Sequence, residues 1–327
     1  MKRSPHAGRM RNSGMGLNPL TDDEVEDIYL GALEVLERTG IKVQDEECMD
    51  VFADAGCKVD RETHIVRIQP EIVENAVRLS PERVRLFARD SQHDLVFEAG
   101  RPTFTPFLEG VETIDLETGE VRPSTKKDVG DICHLTDFLP GYDFTCVAVT
   151  ARDAPTETGS IHGMDAALRN STKGVLIALM SRHETETVID MAAEVVGGRD
   201  ELADAPIITT GGSPVAPLHF NKSFTDFVIP SARARIPTIV VSMGLVGATM
   251  PSRIAATMVI GIAEELAGLV LVQACEPGCP ALVGQSTCGF DMRTGLAQVG
   301  GPEMALVMAA TAQMGRRLGV PSWTAGL

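Results

Sequence analysis

The chain has 327 residues, with 45 Asp and Glu against 29 Lys and Arg, for a formal net charge of −16. At 44% hydrophobic and 23% charged it reads as a globular chain with ample material for a core, and its acidic balance excludes nucleic-acid binding, which needs basic surface. Seven cysteines, an odd number, suit a reducing cytoplasm, and aromatics at 4% with one Trp leave little for a cation-binding aromatic cage.

Residues 1–16 contain Lys2, Arg3, Arg9 and Arg11 but no apolar run, so they read as a flexible basic leader and not as a secretory signal. Thr21 followed by Glu24 forms a capping box that opens a helix over 22–39, with Ile28, Leu33, Val35 and Leu36 on its apolar face. A second helix over 46–55 stops at Gly56, residues 64–68 alternate like a strand, and Pro70 starts a helix to Arg78. Residues 17–100 are therefore expected as an N-terminal, mostly helical cap region.

From residue 101 the rhythm becomes strand, turn, helix. Strands are predicted at 102–106, 143–149, 174–179, 206–210, 238–243, 280–285 and 321–324. Helices follow at 163–170, 184–196, 222–235, 253–274 and 302–318, and residues 110–121 read as a hairpin turning at Gly119. The apolar stretch 255–272 is interrupted by Glu264 and Glu265, so it reads as a buried helix and no membrane span is expected. Strands rich in Ile and Val fit a parallel sheet covered on both faces. The fold class expected is α/β: a (β/α)8 TIM-type barrel over 101–327, incomplete, with about seven strands present. An open doubly wound sheet is the alternative, but no G-x-G-x-x-G turn follows the first strand.

In a barrel, chemistry collects at the C-terminal ends of the strands. The polar residues there include Asp153 after the second strand, Ser242 ending the fifth, and Gln285, Ser286, Thr287 and Asp291 after the sixth. Asp153 and Asp291 stand out, because a carboxylate in a barrel mouth needs a partner or a cationic ligand. No metal is expected: Cys275-Glu-Pro-Gly-Cys279 is a lone pair of thiols in a turn without a neighbouring His. His162 reads as part of a helix start, and His134 as packing.

Several segments resemble a known family. They are Val147-Ala-Val-Thr-Ala-Arg-Asp153, Ala232-Arg-Ala-Arg-Ile-Pro237 and Val240-Val-Ser-Met243. The most characteristic block runs through Pro277-Gly278, Gly284-Gln-Ser-Thr287, Phe290-Asp-Met292 and Gly301-Pro-Glu303 to Gly319-Val-Pro-Ser322 and Ala325-Gly326. In this order, over nearly the whole chain, they are similar to the trimethylamine methyltransferase family of corrinoid-dependent barrel enzymes.

The resemblance implies methyl transfer from trimethylamine, or in relatives from a quaternary amine such as glycine betaine, to Co(I) of a separate corrinoid protein. No D-x-H-x-x-G cobalamin motif occurs here, so no cofactor is expected to bind directly and the corrinoid would arrive on its cognate partner protein. In trimethylamine members, pyrrolysine follows an Ala-Gly-X tripeptide. Here that tripeptide is Ala325-Gly326-Leu327, so the catalytic residue is expected immediately after Leu327 and none in this chain. The chain is then the N-terminal part of a cytoplasmic enzyme that is a homo-oligomer at full length, with an amber codon read as a stop; the nucleotide triplet after Leu327 tests this. Asp153, Gln285, Ser286, Thr287, Asp291 and Ser242 are the substrate-pocket candidates. The alternatives are a fragment of a quaternary-amine methyltransferase and a non-catalytic half-barrel that binds the corrinoid protein.

Overall fold

Thr21 caps the first helix as its spacing from Glu24 predicts. Its hydroxyl accepts from the Glu24 amide at 3.3 Å, and the Glu24 carboxylate accepts from the Thr21 amide at 2.7 Å. The helix, α1 (Asp22–Glu34), runs on through one π turn to Thr39 and stops at Gly40. The computed structural model describes residues 17–325, so the leader expected over 1–16 and the dipeptide Gly326-Leu327 lie outside the described residues.

After α1 come β1 (Ile41–Val43), α2 (Glu46–Asp54), β2 (Lys58–Asp60), β3 (Ile65–Arg67) and α3 (Pro70–Leu79). β3 pairs antiparallel with both β1 and β2, while the free side of β1 pairs parallel with β11 (His219–Phe220). The antiparallel pair β4 (Val84–Leu86) and β5 (Leu95–Phe97) follows, then the hairpin β6 (Glu112–Ile114) and β7 (Val121–Pro123). Residues 17–100 thus contribute strands as well as three helices.

The main sheet has six parallel strands in the order β17-β14-β12-β10-β9-β8. They are β8 (Thr145–Cys146), β9 (Val175–Ala178), β10 (Ile208–Gly212), β12 (Thr238–Ser242), β14 (Ala281–Gln285) and β17 (Ser322–Thr324). The covering helices are α4 (Lys126–Phe138), α5 (Gly159–Asn170), α6 (Arg182–Val196), α7 (Arg199–Asp204), α8 (Lys222–Arg233), α9 (Ile254–Cys275) and α10 (Pro302–Leu318). A small rim sheet joins β13 (Leu245–Val246), β15 (Cys288–Asp291) and β16 (Leu296–Gln298). The expected strand at 102–106 does not enter the ladder. Pro102 and Pro106 have no N–H to give, so the segment tracks β8 through scattered bonds: Asp143 N to Phe104 O at 2.8 Å and Gly110 N to Ala148 O at 2.8 Å. It stands in the place of a seventh strand without forming one.

Alternation along the strands divides the core in two. Ile239, Val241 and Leu282 face the concave side, where β4 and β5 bring Val84, Leu86, Leu95 and Phe97 against Phe144 and Cys146. This plug sits at the strands' N-terminal ends, since Phe87 N donates to Pro206 O and Arg89 N to Thr172 O. It closes the floor of the half-barrel and leaves the C-terminal ends as the mouth. Val240 and Val283 face the other way, into the large core shared with the helices. α9 is long and apolar enough to cross a membrane by composition, yet 72% of its most apolar window is buried among α1, α3, α8 and the sheet. It is a core helix, as the sequence predicts.

Candidate functional site

At the mouth, β12 and β14 end side by side, their ladder running from Thr238–Ala281 to Ser242–Gln285. Beside them Ala325 N reaches Gln285 O at 3.2 Å, extending the β17 pairing by one residue. The β14–β17 approach requires Gly284: a Cβ there would lie 2.1 Å from the Trp323 carbonyl oxygen.

Ser242 and Gln285 are the last residues of their strands and point behind the sheet, toward α9. Ser242 is fully buried, and its hydroxyl donates to Glu264 Oε2 at 2.6 Å. Gln285 is fully buried over Gly261, where an added Cβ would come within 2.8 Å of its Nε2. Thr287 is buried between the two strand-end loops; its hydroxyl accepts from Gly244 N at 3.2 Å and lies 3.5 Å from Ser242 O. Ser286 N donates to Ser242 O at 2.9 Å, and its half-buried side chain falls on the concave face by alternation with Gln285. These four residues come together within one stretch of the mouth.

Asp153 and Asp291 do not join them. Asp153 is exposed and accepts from Lys126 N at 2.7 Å, capping the first turn of α4. Asp291 shapes the β15–β16 turn, accepting from Arg293 N and Thr294 Oγ1 at 2.9 Å each. Those bonds hold its carboxyl below the usual range. His134 is exposed and not packed, and His162 lies 3.4 Å from Lys126 Nζ in the first turn of α5. Cys275 and Cys279 are free thiols whose burial pushes them up to about 11 and about 12, which makes them inert. Among the described residues, no group of three His, Cys, Asp or Glu is placed to hold a metal ion.

Two acidic groups that sequence reasoning did not assign to the mouth stand out. Glu264 is fully buried; its carboxyl accepts from Ser242 Oγ and, at 2.7 Å, from Leu218 N in the loop after β10. Burial raises it from its ordinary 4.5 to about 7, against those two bonds. Its neighbour Glu265 is raised well above the carboxylate range by burial and by Glu264. Two adjacent acids inside an otherwise apolar 22-residue helix were the available signal. The other group is Glu109, which lines a recess with Val147, Thr150, Gly159, Ser160 and Ala178. Its φ of 64° is unusual for a residue with a side chain. Surrounding protein and then the Glu184 carboxylate push its carboxyl up, although it keeps an accessible face. At the mouth Glu109 therefore offers a carboxyl that holds its proton more tightly than usual, beside the Glu184 carboxylate.

The fold and the mouth define an α/β half-barrel with its polar residues gathered at the C-terminal ends of the strands, the usual place for small-molecule chemistry. The model of the trimethylamine methyltransferase (MTTB) family matches residues 2–327, and the chain belongs to that family. The trimethylamine methyltransferase MttB of Desulfitobacterium hafniense is 34% identical over 320 residues, covering 98% of this chain and 64% of that protein. MttB of Methanosarcina barkeri strain Fusaro is 34% identical over 330 residues, covering 99% of this chain and 67% of its own. A glycine betaine methyltransferase of Desulfitobacterium hafniense is 27% identical over 310 residues, covering 94% and 64%. The chain thus spans about two thirds of the length of these relatives. In fold it is similar to the crystal structure of the Methanosarcina barkeri monomethylamine methyltransferase, with a TM-score of 0.56 at 13% identity over 95% of this chain and 69% of that one.

Proposed function

We propose that this chain provides the floor and much of the mouth of a methyltransferase that takes a methyl group from trimethylamine and delivers it to the Co(I) centre of a separate corrinoid protein in the cytoplasm. The observation that carries this reading is 34% identity to trimethylamine methyltransferases over nearly the entire chain. The accessible Glu109 carboxyl, with the Glu184 carboxylate beside it, supports it, since trimethylamine is a cation at neutral pH and a bound cation would favour the Glu109 anion. The chain's part is to bind and orient the amine at the mouth. Holding the amine's methyl group in line with the cobalt is a positioning effect that can supply roughly 7–11 kcal/mol of the barrier. Seven free cysteines, six buried and one half-buried, fit a reducing compartment.

The test is methylation of a Co(I) corrinoid protein, followed by its visible spectrum. The 327-residue chain is assayed, together with the chain extended to its relatives' length if the gene continues. Trimethylamine should be the donor; transfer from glycine betaine alone would replace this reading with the second one, which the 27% identical betaine enzyme favours. No transfer from either donor by either form would sink both.

A further inference from the structure

α9 packs behind β12 and β14 through Leu266, Ala267, Val270 and other apolar side chains, and one polar cluster interrupts that layer. On one side of the cluster Glu264 takes two hydrogen bonds from two different mouth elements: Ser242 Oγ at the end of β12, at 2.6 Å, and Leu218 N in the loop after β10, at 2.7 Å. Leu218 needs fixing, because its φ of 54° is a conformation that a residue with a side chain adopts at a cost. Ser242 in turn fixes the neighbouring strand end, its carbonyl accepting from Ser286 N at 2.9 Å.

On the other side stands Glu265, fully buried, with no hydrogen-bond partner for either oxygen. Gln285 Oε1, also fully buried, has none either. Gln285 lies over Gly261, one helical turn before Glu265; its Nε2 donates to Met258 Sδ at 3.9 Å, and its amide lies close enough to oppose the upward shift of Glu265 without meeting hydrogen-bond geometry. An ionised carboxylate without a partner in this layer would cost many kcal/mol, so the neutral acid is the stable form. The neutral acid has an O–H to give, and Gln285 Oε1 is an acceptor without a donor.

We infer that Glu264 and Glu265 are positioning residues for the mouth, through which the single helix α9 sets the loop after β10 and the ends of β12 and β14 in one fixed relation. The inference rests on the proposed function only in taking that mouth as the place where the amine binds. Neither acid faces the concave side, so neither is a catalytic residue. Their adjacency in sequence matters: consecutive helix residues diverge by about 100°, which lets one turn serve β12 on one side and β14 on the other.

Amide hydrogen exchange at Leu218 and Ser286, with the infrared band of protonated carboxyl groups, tests this on the purified chain. Glu264→Ala should speed exchange at Leu218 about tenfold, the loss of one hydrogen bond to a charged or strongly polar group. Glu264→Gln should restore it to within about threefold, because the amide can accept from Leu218 and donate to Ser242. Ser242→Ala, a smaller change, should speed exchange at Ser286 should Glu264→Ala fail to fold. Glu265→Gln should remove one protonated-carboxyl band present at neutral pH. Unaltered exchange in Glu264→Ala and Ser242→Ala, no rescue by Gln, or no band lost in Glu265→Gln would each overturn the assignment. The exchange readout does not need turnover: response without methyl transfer retires the proposed function and leaves the positioning role, and transfer without response does the reverse.

Discussion

A carboxyl raised by burial makes a definite statement about pH. The folded state holds the Glu264 proton more tightly than the unfolded chain does, so its contribution to stability is whole below the ordinary value of 4.5 and is lost as pH rises through about 7. Over that window Glu264 should account for a loss of about 3 kcal/mol, on top of the loss that Glu265, raised in the same direction, contributes. Glu264→Gln should make the profile shallower by Glu264's share, and denaturant titrations of both proteins at several pH values measure it. At Glu109 the expected effect is opposite in kind. Replacing it with Gly removes the strain of a φ of 64° at the expense of backbone entropy, so stability should rise by about 0.5–1 kcal/mol. A fall in stability would show that the side chain makes contacts that outweigh the strain. Asp153→Ala should cost about 1 kcal/mol through the lost cap on Lys126 N, read as a lower melting temperature. Little of this was legible beforehand. The sequence places Asp153 and Asp291 at strand ends, but which donors lie within reach of a carboxylate depends on chain that is distant in sequence or folded back on itself.

Elements were more readable where local chemistry decides them. The Thr21–Glu24 box, Pro70 at a first turn and Gly56 after α2 act over three or four residues, and the helices they delimit are where the sequence predicts them. Helix α10 runs over the predicted span from Pro302 to Leu318. The segment 102–106 differs because apolar content signals a strand while two prolines deny it a ladder, and only the partner strand could decide between them. α4 ends on a device no pattern announces. Lys173, from the loop before β9, donates to the carbonyls of Thr136 at 2.6 Å, Leu139 at 3.0 Å and Tyr142 at 2.8 Å. Lys173→Met leaves those acceptors buried and should cost about 2–3 kcal/mol, seen as a lower denaturation midpoint. No shift in the midpoint would mean that water replaces the ammonium.

On the scale of the molecule, six parallel strands make an open sheet, with β8 and β17 at its two edges among the described residues. Around the mouth Phe107, Met180, Met243 and Met292 stand well exposed. Such edges and apolar surface favour self-association. The 327-residue chain alone should bind an apolar dye and sediment as larger than a monomer; a dye-silent monomer would show that the concave face is covered. By itself the sequence determined the α/β alternation, the helix starts and the family, because caps, proline, apolar runs and short motifs are local or nearly so. The tertiary structure alone decided which way each strand end faces. A strand's period of two turns Ser242 and Gln285 away from the concave side and toward α9. There, in a fully buried layer, two glutamates that read as interruptions in an apolar helix become the groups that set the mouth.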